Sequence, residues 1–227
     1  MIIRVILFYS LFCLSCKKDT AGSNTNFSKV SSISNYSNGA IISSRNFLYD
    51  SNGRIIKETD ISTLQSSYTT YHYSGSTKTA KTFNNNDTTI SIMTLNSNGL
   101  VISSNMGAMN FTFEYNIDNY LIKVFQNLQD RLDTITYNIV NGIIVTETMS
   151  LLAETIKSNF TNYTNTIGNE NFGESFLGKQ SINLVSGIIF VGSDTTTYNY
   201  HFDKKNRVSR QTIVSDINNS TIYKYTD

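Results

Sequence analysis

The sequence predicts an all-β protein: an antiparallel meander of hairpin repeats forming a curved open sheet, a half-barrel or a barrel. Three observations predict it: a skewed composition, a hairpin-like unit that recurs about every 22 residues, and apolar side chains that alternate with polar ones. The chain has 14 Tyr and 13 Phe but neither Trp nor Pro. With abundant Asn, Thr, Ser and Ile, that set favours strands joined by polar turns. Without Pro, strand edges and turns rest on Gly and Asn.

The recurring unit is an aromatic strand, a turn built on Asn, Asp or Gly, and an aliphatic strand. It reads Phe47-Leu48-Tyr49-Asp50-Ser51-Asn52-Gly53-Arg54-Ile55-Ile56 in its first full copy. Further copies run Thr94 to Ile102, Phe113 to Ile122, Tyr137 to Ile144 and Tyr200 to Val208, with a shorter one at Tyr71-His72-Tyr73-Ser74-Gly75. Their turns fall at 53, 75, 99, 119, 142 and 206. The last gap is close to three periods, so two degraded copies are expected between 142 and 206. About 22 residues hold two strands and two connections, and Asn-Gly suits a tight tip because both residues tolerate positive φ.

Within the strands the alternation is clear. Phe111, Phe113 and Tyr115 share one face, with Thr112, Glu114 and Asn116 opposite; Tyr198, Tyr200 and Phe202 oppose Thr197, Asn199 and His201. The polar side suits a solvated sheet face or the wall of a wide cavity. Met149, Leu152, Ile156 and Phe160 recur at helical spacing, but the Thr and Asn around them favour irregular strand. The expectation is a meander of about ten to fourteen strands that curls rather than lies flat. Neighbouring repeats bury each other's aromatic faces.

The N-terminus has its own logic. One positive charge, Arg4, precedes an apolar run from Val5 to Leu14 and a small residue, Ser15, before Cys16. That is the layout of a secretory signal, and a run of about ten residues is short of the ~20 that cross a bilayer as a helix. Leu14-Ser15-Cys16 resembles a lipobox, with Cys13 where an aliphatic residue is usual. The chain's 2 cysteines both lie here, so Cys16 is the candidate lipid attachment and a first-residue anchor of the mature chain. The plainer alternative is ordinary signal cleavage beside an incidental cysteine. Lys17-Lys18-Asp19 reads either as an export tag for the cell surface or as a solvated tether. The organisation expected is a signal peptide over 1–15, a flexible tether over 16–40 and one all-β domain over 41–227.

Losing Arg4 with the signal balances the 18 basic residues against the 17 acidic ones. No basic patch points to nucleic acid, and no Asp-x-[Asp/Asn]-x-[Asp/Asn]-Gly loop points to calcium.

The Tyr-Asp-x-Asn-Gly-Arg-Ile unit at Tyr49 to Ile55 resembles the YD repeat of Rhs-type surface proteins. More closely, the chain resembles a Bacteroidota lipoprotein family of unknown function built from such hairpins. The matching phrases are Tyr163-Thr164-Asn165-Thr166-Ile167, then Phe176-Leu177-Gly178-Lys179-Gln180-Ser181-Ile182-Asn183-Leu184, then the hairpin Tyr198 to Val208. The chain departs from the family with Val185 where Pro is frequent and Ile182 where Lys is usual. The resemblance covers roughly residues 45 to 227. It implies an all-β fold and a cell-envelope address, an outer-membrane lipoprotein on its periplasmic or surface face. It implies no reaction.

Chemistry-bearing residues are sparse. His72 and His201, the only histidines, sit in Tyr71-His72-Tyr73 and Tyr200-His201-Phe202. The functional reading makes His72, His201, Tyr71 and Tyr200 ligand-facing; the plain one puts two histidines on a polar sheet face. No metal set, cofactor loop or Gly-x-Ser-x-Gly elbow appears. Gly168, Gly173 and Gly178 read as a turn region, and no carboxylate pair stands out for hydrolysis. Asp87-Thr88-Thr89, Asp133-Thr134-Ile135 and Asp194-Thr195-Thr196 resemble bacterial O-glycosylation signals. The function expected is a non-catalytic envelope module, held to a membrane by its lipid and binding a glycan, a lipid-like ligand or a protein. The alternatives are a structural or assembly component of the surface and, last, a carboxylate-based hydrolase.

Overall fold

The computed structural model describes residues 29–63, 65–85, 87–128, 131–151, 155–167, 177, 183–190 and 195–226. Cys16, Lys17 to Asp19, Phe176, Gly168, Gly173, Gly178 and Asp194 lie outside the described residues, as do the side chains of Tyr163 to Ile167.

Sixteen strands appear among the described residues. They are β1 (Val30–Ser37), β2 (Ala40–Tyr49), β3 (Ile55–Ser62), β4 (Ser66–Ser74), β5 (Thr77–Asn84), β6 (Asp87–Leu95), β7 (Val101–Met106) and β8 (Met109–Tyr115). There follow β9 (Leu121–Leu128), β10 (Arg131–Val140), β11 (Ile143–Ser150), β12 (Thr155–Ile167), β13 (Asn183–Phe190), β14 (Thr195–Phe202), β15 (Val208–Ile213) and β16 (Asp216–Tyr225). Each pairs antiparallel with its neighbours in sequence, and β1 pairs with β16, so the meander closes into a barrel. Closure leaves no row of unpaired backbone groups at an edge.

The aromatic-turn-aliphatic unit is one hairpin, as its spacing predicts, but its turns are of two kinds. Asn38-Gly39 and Asn141-Gly142 have positive φ at both residues, 50° and 77° and then 52° and 78°, the geometry of two-residue primed turns. The other kind is a longer loop. In it Gly53 N–H donates to the Asp50 carbonyl at 2.9 Å and Asp50 N–H to the Arg54 carbonyl at 2.9 Å. The same pair of bonds recurs from Asn96, Asn116 and Asp203. The left-handed residue of these loops is Gly53, Gly99, Asn119 or Asn206. The first side chain of each loop caps it: Asp50 Oδ1 accepts from Asn52 N–H at 2.9 Å and Arg54 N–H at 2.8 Å. Asn96, Asn116 and Asp203 act alike. A register shift falls just before these loops, at Leu48/Tyr49, Thr94/Leu95, Glu114/Tyr115 and His201/Phe202, and before the Asn141-Gly142 turn at Asn138/Ile139. Each bulge adds local twist and bend, and repeated around the sheet they supply the curvature that closes it.

Tyrosines near the ends of even-numbered strands tie each to the strand before it. The Tyr49 hydroxyl donates to the Val30 carbonyl at 2.7 Å, Tyr73 to Ile55 at 3.0 Å, Tyr115 to Val101 at 2.8 Å, Tyr200 to Val185 at 2.8 Å and Tyr225 to Val208 at 2.8 Å. Where the loop carries Asp and Arg, the pair braces the next tyrosine. Asp50 holds Arg54 at 2.7 Å, and that guanidinium lies 4.5 Å from the Tyr73 ring centroid. Asp203 holds Arg207 at 2.6 Å, and Arg207 lies 4.1 Å from the Tyr225 centroid.

The structure corrects three expectations. The strands number sixteen among the described residues, above the ten to fourteen expected. Strand structure begins at Val30, inside the stretch read as tether; β1 has few apolar residues, but it is hydrogen-bonded on both sides, by β2 and β16. Among the described residues between the turns at 142 and 206, one strand pair of the repeating kind, β12 with β13, stands where two degraded copies are expected. Met149 lies in strand β11 and Ile156 and Phe160 in β12, whereas Leu152 lies outside the described residues.

Candidate functional site: the inner wall of the barrel

Register fixes which side chains look inward. Arg45 faces Asp60, Asp60 faces Ser67, Tyr71 faces Ala80, and Ala80 faces Ser91, so these residues share one side of the sheet. The same parity carries Phe111, Phe113, Val124 and Ile135 on β8 to β10, and Tyr200, Gln211 and Thr221 on β14 to β16. This inner side holds two apolar clusters. Val30, Phe47, Ile55, Leu184 and Val208 pack with Tyr49, Tyr71, Tyr200, Tyr223 and Tyr225. Val101, Phe113, Val124, Ile135 and Tyr137 form the other.

Polar groups are set among them. Arg45 Nε lies 2.8 Å from Glu58 Oε1 and 2.8 Å from Asp60 Oδ1. The Tyr71 hydroxyl donates to Glu58 Oε2 at 2.9 Å. Lys78 is fully buried, its ammonium 4.1 Å from the Tyr71 centroid and 5.7 Å from that of Tyr73. Gln211 links two tyrosines: its amide donates to Tyr200 Oη at 3.2 Å and its carbonyl accepts from Tyr223 at 3.0 Å. On the other wall Arg131 pairs with the buried Asp133 at 2.8 Å. Burial pushes the Glu147 carboxyl above its usual range, partly offset by the Tyr137 hydroxyl bonded to it. Burial likewise raises the Tyr115, Tyr223 and Tyr225 hydroxyls, which keeps them protonated as donors. Buried charges survive where they are paired, as Glu58 is with Arg45 and Asp133 with Arg131, while the Lys78 ammonium lies against the Tyr71 and Tyr73 rings.

The four side chains singled out as ligand-facing divide. Tyr71 and Tyr200 point inward and join one apolar cluster. His72 and His201 are exposed on the outer side, on β4 and β14, with β15, β16, β1, β2 and β3 between them. The alternation that turns each histidine away from its aromatic neighbours also keeps the pair apart. Among the described residues no group of three or more His, Cys, Asp or Glu side chains could hold a metal ion. Glu58 and Asp60 share one guanidinium and are committed to it. Of the Asp-Thr signals, Thr88 and Thr195 are exposed, whereas Asp133 is buried in mid-strand. Sequence reasoning missed Arg45, Glu58, Asp60, Lys78 and Gln211. Glu58 stands opposite Phe47, Asp60 opposite Arg45, Lys78 opposite Tyr73 and Gln211 opposite Tyr200, a relation set by register between strands that no single strand displays.

One end of the barrel carries a cavity of about 390 Å³ between two hairpin loops, lined by Asn116, Asp118, Tyr120, Ile139, Asn141 and Gly142. Burial, and then the neighbouring Asp118 carboxylate, raise the Tyr120 hydroxyl.

The outer side is mixed, with polar side chains between exposed apolar ones such as Leu48, Ile61, Ile90, Ile92, Leu132 and Ile189. Thr59, Thr70, Thr79, Thr112, Thr134, Thr136, Thr146, Thr148 and Thr197 occupy it with Asn46, Asn138 and Asn199. Lys57, Lys81, Glu114, Lys123, Lys157 and Arg210 stand there too.

No protein-family model matches the sequence, and no curated protein matches it. Solved structures share the fold. A porin-like protein from Bacteroides uniformis superposes with a TM-score of 0.70 at 20% identity, over 90% of this chain and 99% of that one. A porin-like protein from Bacteroides vulgatus gives 0.62 at 13% identity, over 88% of this chain and 99% of that one. The protein is thus a closed, sixteen-stranded antiparallel β-barrel of the architecture these two share.

Proposed function

We propose that this protein is a non-catalytic binding barrel of the bacterial cell envelope, held to a membrane by lipid on Cys16 rather than threaded through the bilayer. The observation that carries this reading is the sorting of side chains across the wall. A barrel that spans lipid turns an apolar band outward and a polar face inward. Here the buried tyrosines and aliphatic residues pack inside, and the outer wall carries Thr, Asn, Lys and Arg between exposed apolar residues such as Leu48, Ile61, Ile90 and Leu132. A Lys or Arg on a lipid-facing strand costs ~2–4 kcal/mol at the bilayer midplane. With Lys57, Lys81, Lys123, Lys157 and Arg210 all outward, insertion would be opposed at each, most where the side chain falls near the midplane and by only ~0–1 kcal/mol near the interfaces. The two superposed proteins are called porin-like; the outer face of this chain supports a barrel standing in water. The leader ahead of Cys16 and the lack of any other cysteine in the mature chain support the anchor.

The ligand surface in this reading is the inner wall and its mouth, where tyrosine hydroxyls, Gln211 and the Arg45 ion pairs stand beside aromatic rings. That mixture suits a glycan or another ligand with both polar and apolar faces. The likeness to surface proteins with Tyr-Asp hairpin repeats agrees with an envelope address.

Fractionation tests the anchor. The wild-type chain should sediment with membranes and be released by detergent, and Cys16→Ala should be soluble without detergent and unfold cooperatively. If Cys16→Ala stays in the membrane through carbonate extraction, the barrel is integral and the reading is wrong.

A further inference from the structure

The outer wall is not uniform. Across β2 to β6 one row runs Leu48, Lys57, Thr70, Lys81, Ile90, and the row beside it runs Asn46, Thr59, Tyr68, Phe83, Thr88. The Tyr68 and Phe83 rings stack at 4.6 Å with 16° between their planes. Lys57 Nζ lies 4.9 Å from the Tyr68 centroid and Lys81 Nζ 4.8 Å from that of Phe83. Around them Leu48 is 59% exposed and Ile90 52%. The panel also lacks outward carboxylates. The acids of β2 to β6 are Glu58, Asp60 and Asp87; the first two turn inward to Arg45, and Asp87 shares their parity through Asn84 and Ser67. Elsewhere on the outer wall Glu114 stands opposite Lys123.

We propose that this panel is a membrane-contact surface that lays the barrel against an anionic lipid bilayer. Its composition is that of an interfacial face: aliphatic residues and aromatic edges that enter the headgroup region, and lysines whose stems lie on apolar surface while the ammonium reaches lipid phosphates. A sugar-binding platform needs an open ring face. Here the faces of Tyr68 and Phe83 lie against each other and beside the lysines, which favours the bilayer over a polysaccharide. The proposal goes beyond the anchored reading, and its test does not depend on it.

The test uses the chain from residue 17 onward, which carries no lipid and keeps all sixteen strands. It is sedimented with vesicles of phosphatidylcholine alone, or of equal parts phosphatidylcholine and phosphatidylglycerol. The protein should bind the anionic vesicles, more weakly as salt rises, and bind the neutral ones far less. Lys57→Glu/Lys81→Glu should weaken that binding by at least about thirtyfold, and Lys123→Glu, on another part of the wall, should leave it unchanged. Thermal melts establish that the variants fold; if the charge reversal does not, Lys57→Gln/Lys81→Gln carries the same test. No vesicle binding, equal binding by the double variant and wild type, or retention on a polyuronate resin instead of vesicles would each overturn the proposal. Release of Cys16→Ala from membranes is a separate result and stands or falls alone.

Discussion

Removing one hydroxyl tests whether the tyrosine ties hold neighbouring strands of the barrel together. In Tyr225→Phe the ring stays beneath Arg207, which lies 4.1 Å from its centroid, and the 2.8 Å bond to the Val208 carbonyl is lost. Val208 is fully buried, so water cannot readily replace the donor. A lost hydrogen bond in closed surroundings costs about 1–3 kcal/mol. For a chain of this size that lowers Tm by about 2–4 °C per kcal/mol. Burial raises the Tyr225 hydroxyl above its ordinary range, so the loss should be the same at neutral and mildly alkaline pH. The assay is urea unfolding followed by circular dichroism, with Tyr115→Phe as a second site. Tyr115 ties β8 to β7, whereas Tyr225 ties β16 to β15, and the two belong to different apolar clusters. The double variant should therefore be additive to within about 0.5 kcal/mol. Destabilisation below about 0.3 kcal/mol at both sites would show that the ties are incidental to stability.

Three further outcomes follow from the same geometry. Glu147 has a native pKa raised above 4.5 by burial. Its contribution to stability is complete below that value and is lost as pH rises through the native one, so Glu147→Gln should flatten this limb of the pH–stability curve; an unchanged curve would count against it. Asp203 has the opposite sign. Slight burial raises it, but the Arg207 and Lys205 N–H groups and the Arg207 guanidinium outweigh that and hold it below 3.8. Asp203→Ala should then cost about 1 kcal/mol at neutral pH and remove a contribution that wild type loses only as pH falls through the lowered value, as acid titration of both proteins would reveal. At Gly187 a Cβ would sit 2.8 Å from Thr161 Oγ1 and 3.1 Å from the Thr196 carbonyl, so Gly187→Ala should destabilise by about 1–3 kcal/mol in denaturant titration.

Much of the barrel is legible in local chemistry. Alternation in Phe111 to Tyr115 and Tyr198 to Phe202 marks strands and their faces, because successive side chains of a strand must point to opposite sides. Asn-Gly and Asp-x-x-Gly mark turns, because few residues accept positive φ. The hidden parts are non-local. β1 has too few apolar residues to announce itself and exists because β2 and β16 both bond to it. The inward Arg45, Glu58 and Lys78 are ordinary charged residues until bulges and closure place them on the inner wall.

By itself, then, the sequence determined an all-β chain of repeated hairpins, the positions of many of their tips, and that His72 and His201 face away from Tyr71 and Tyr200. Each follows from the φ limits and two-residue period of a single strand or turn. Only the tertiary structure decided that sixteen strands close on themselves, that the aromatic face is the inside and the threonine face the outside, and that Lys57, Tyr68, Phe83 and Lys81 gather into one panel. Those outcomes depend on twist summed around the whole sheet and on the pairing of β1 with β16, a contact between opposite ends of the chain.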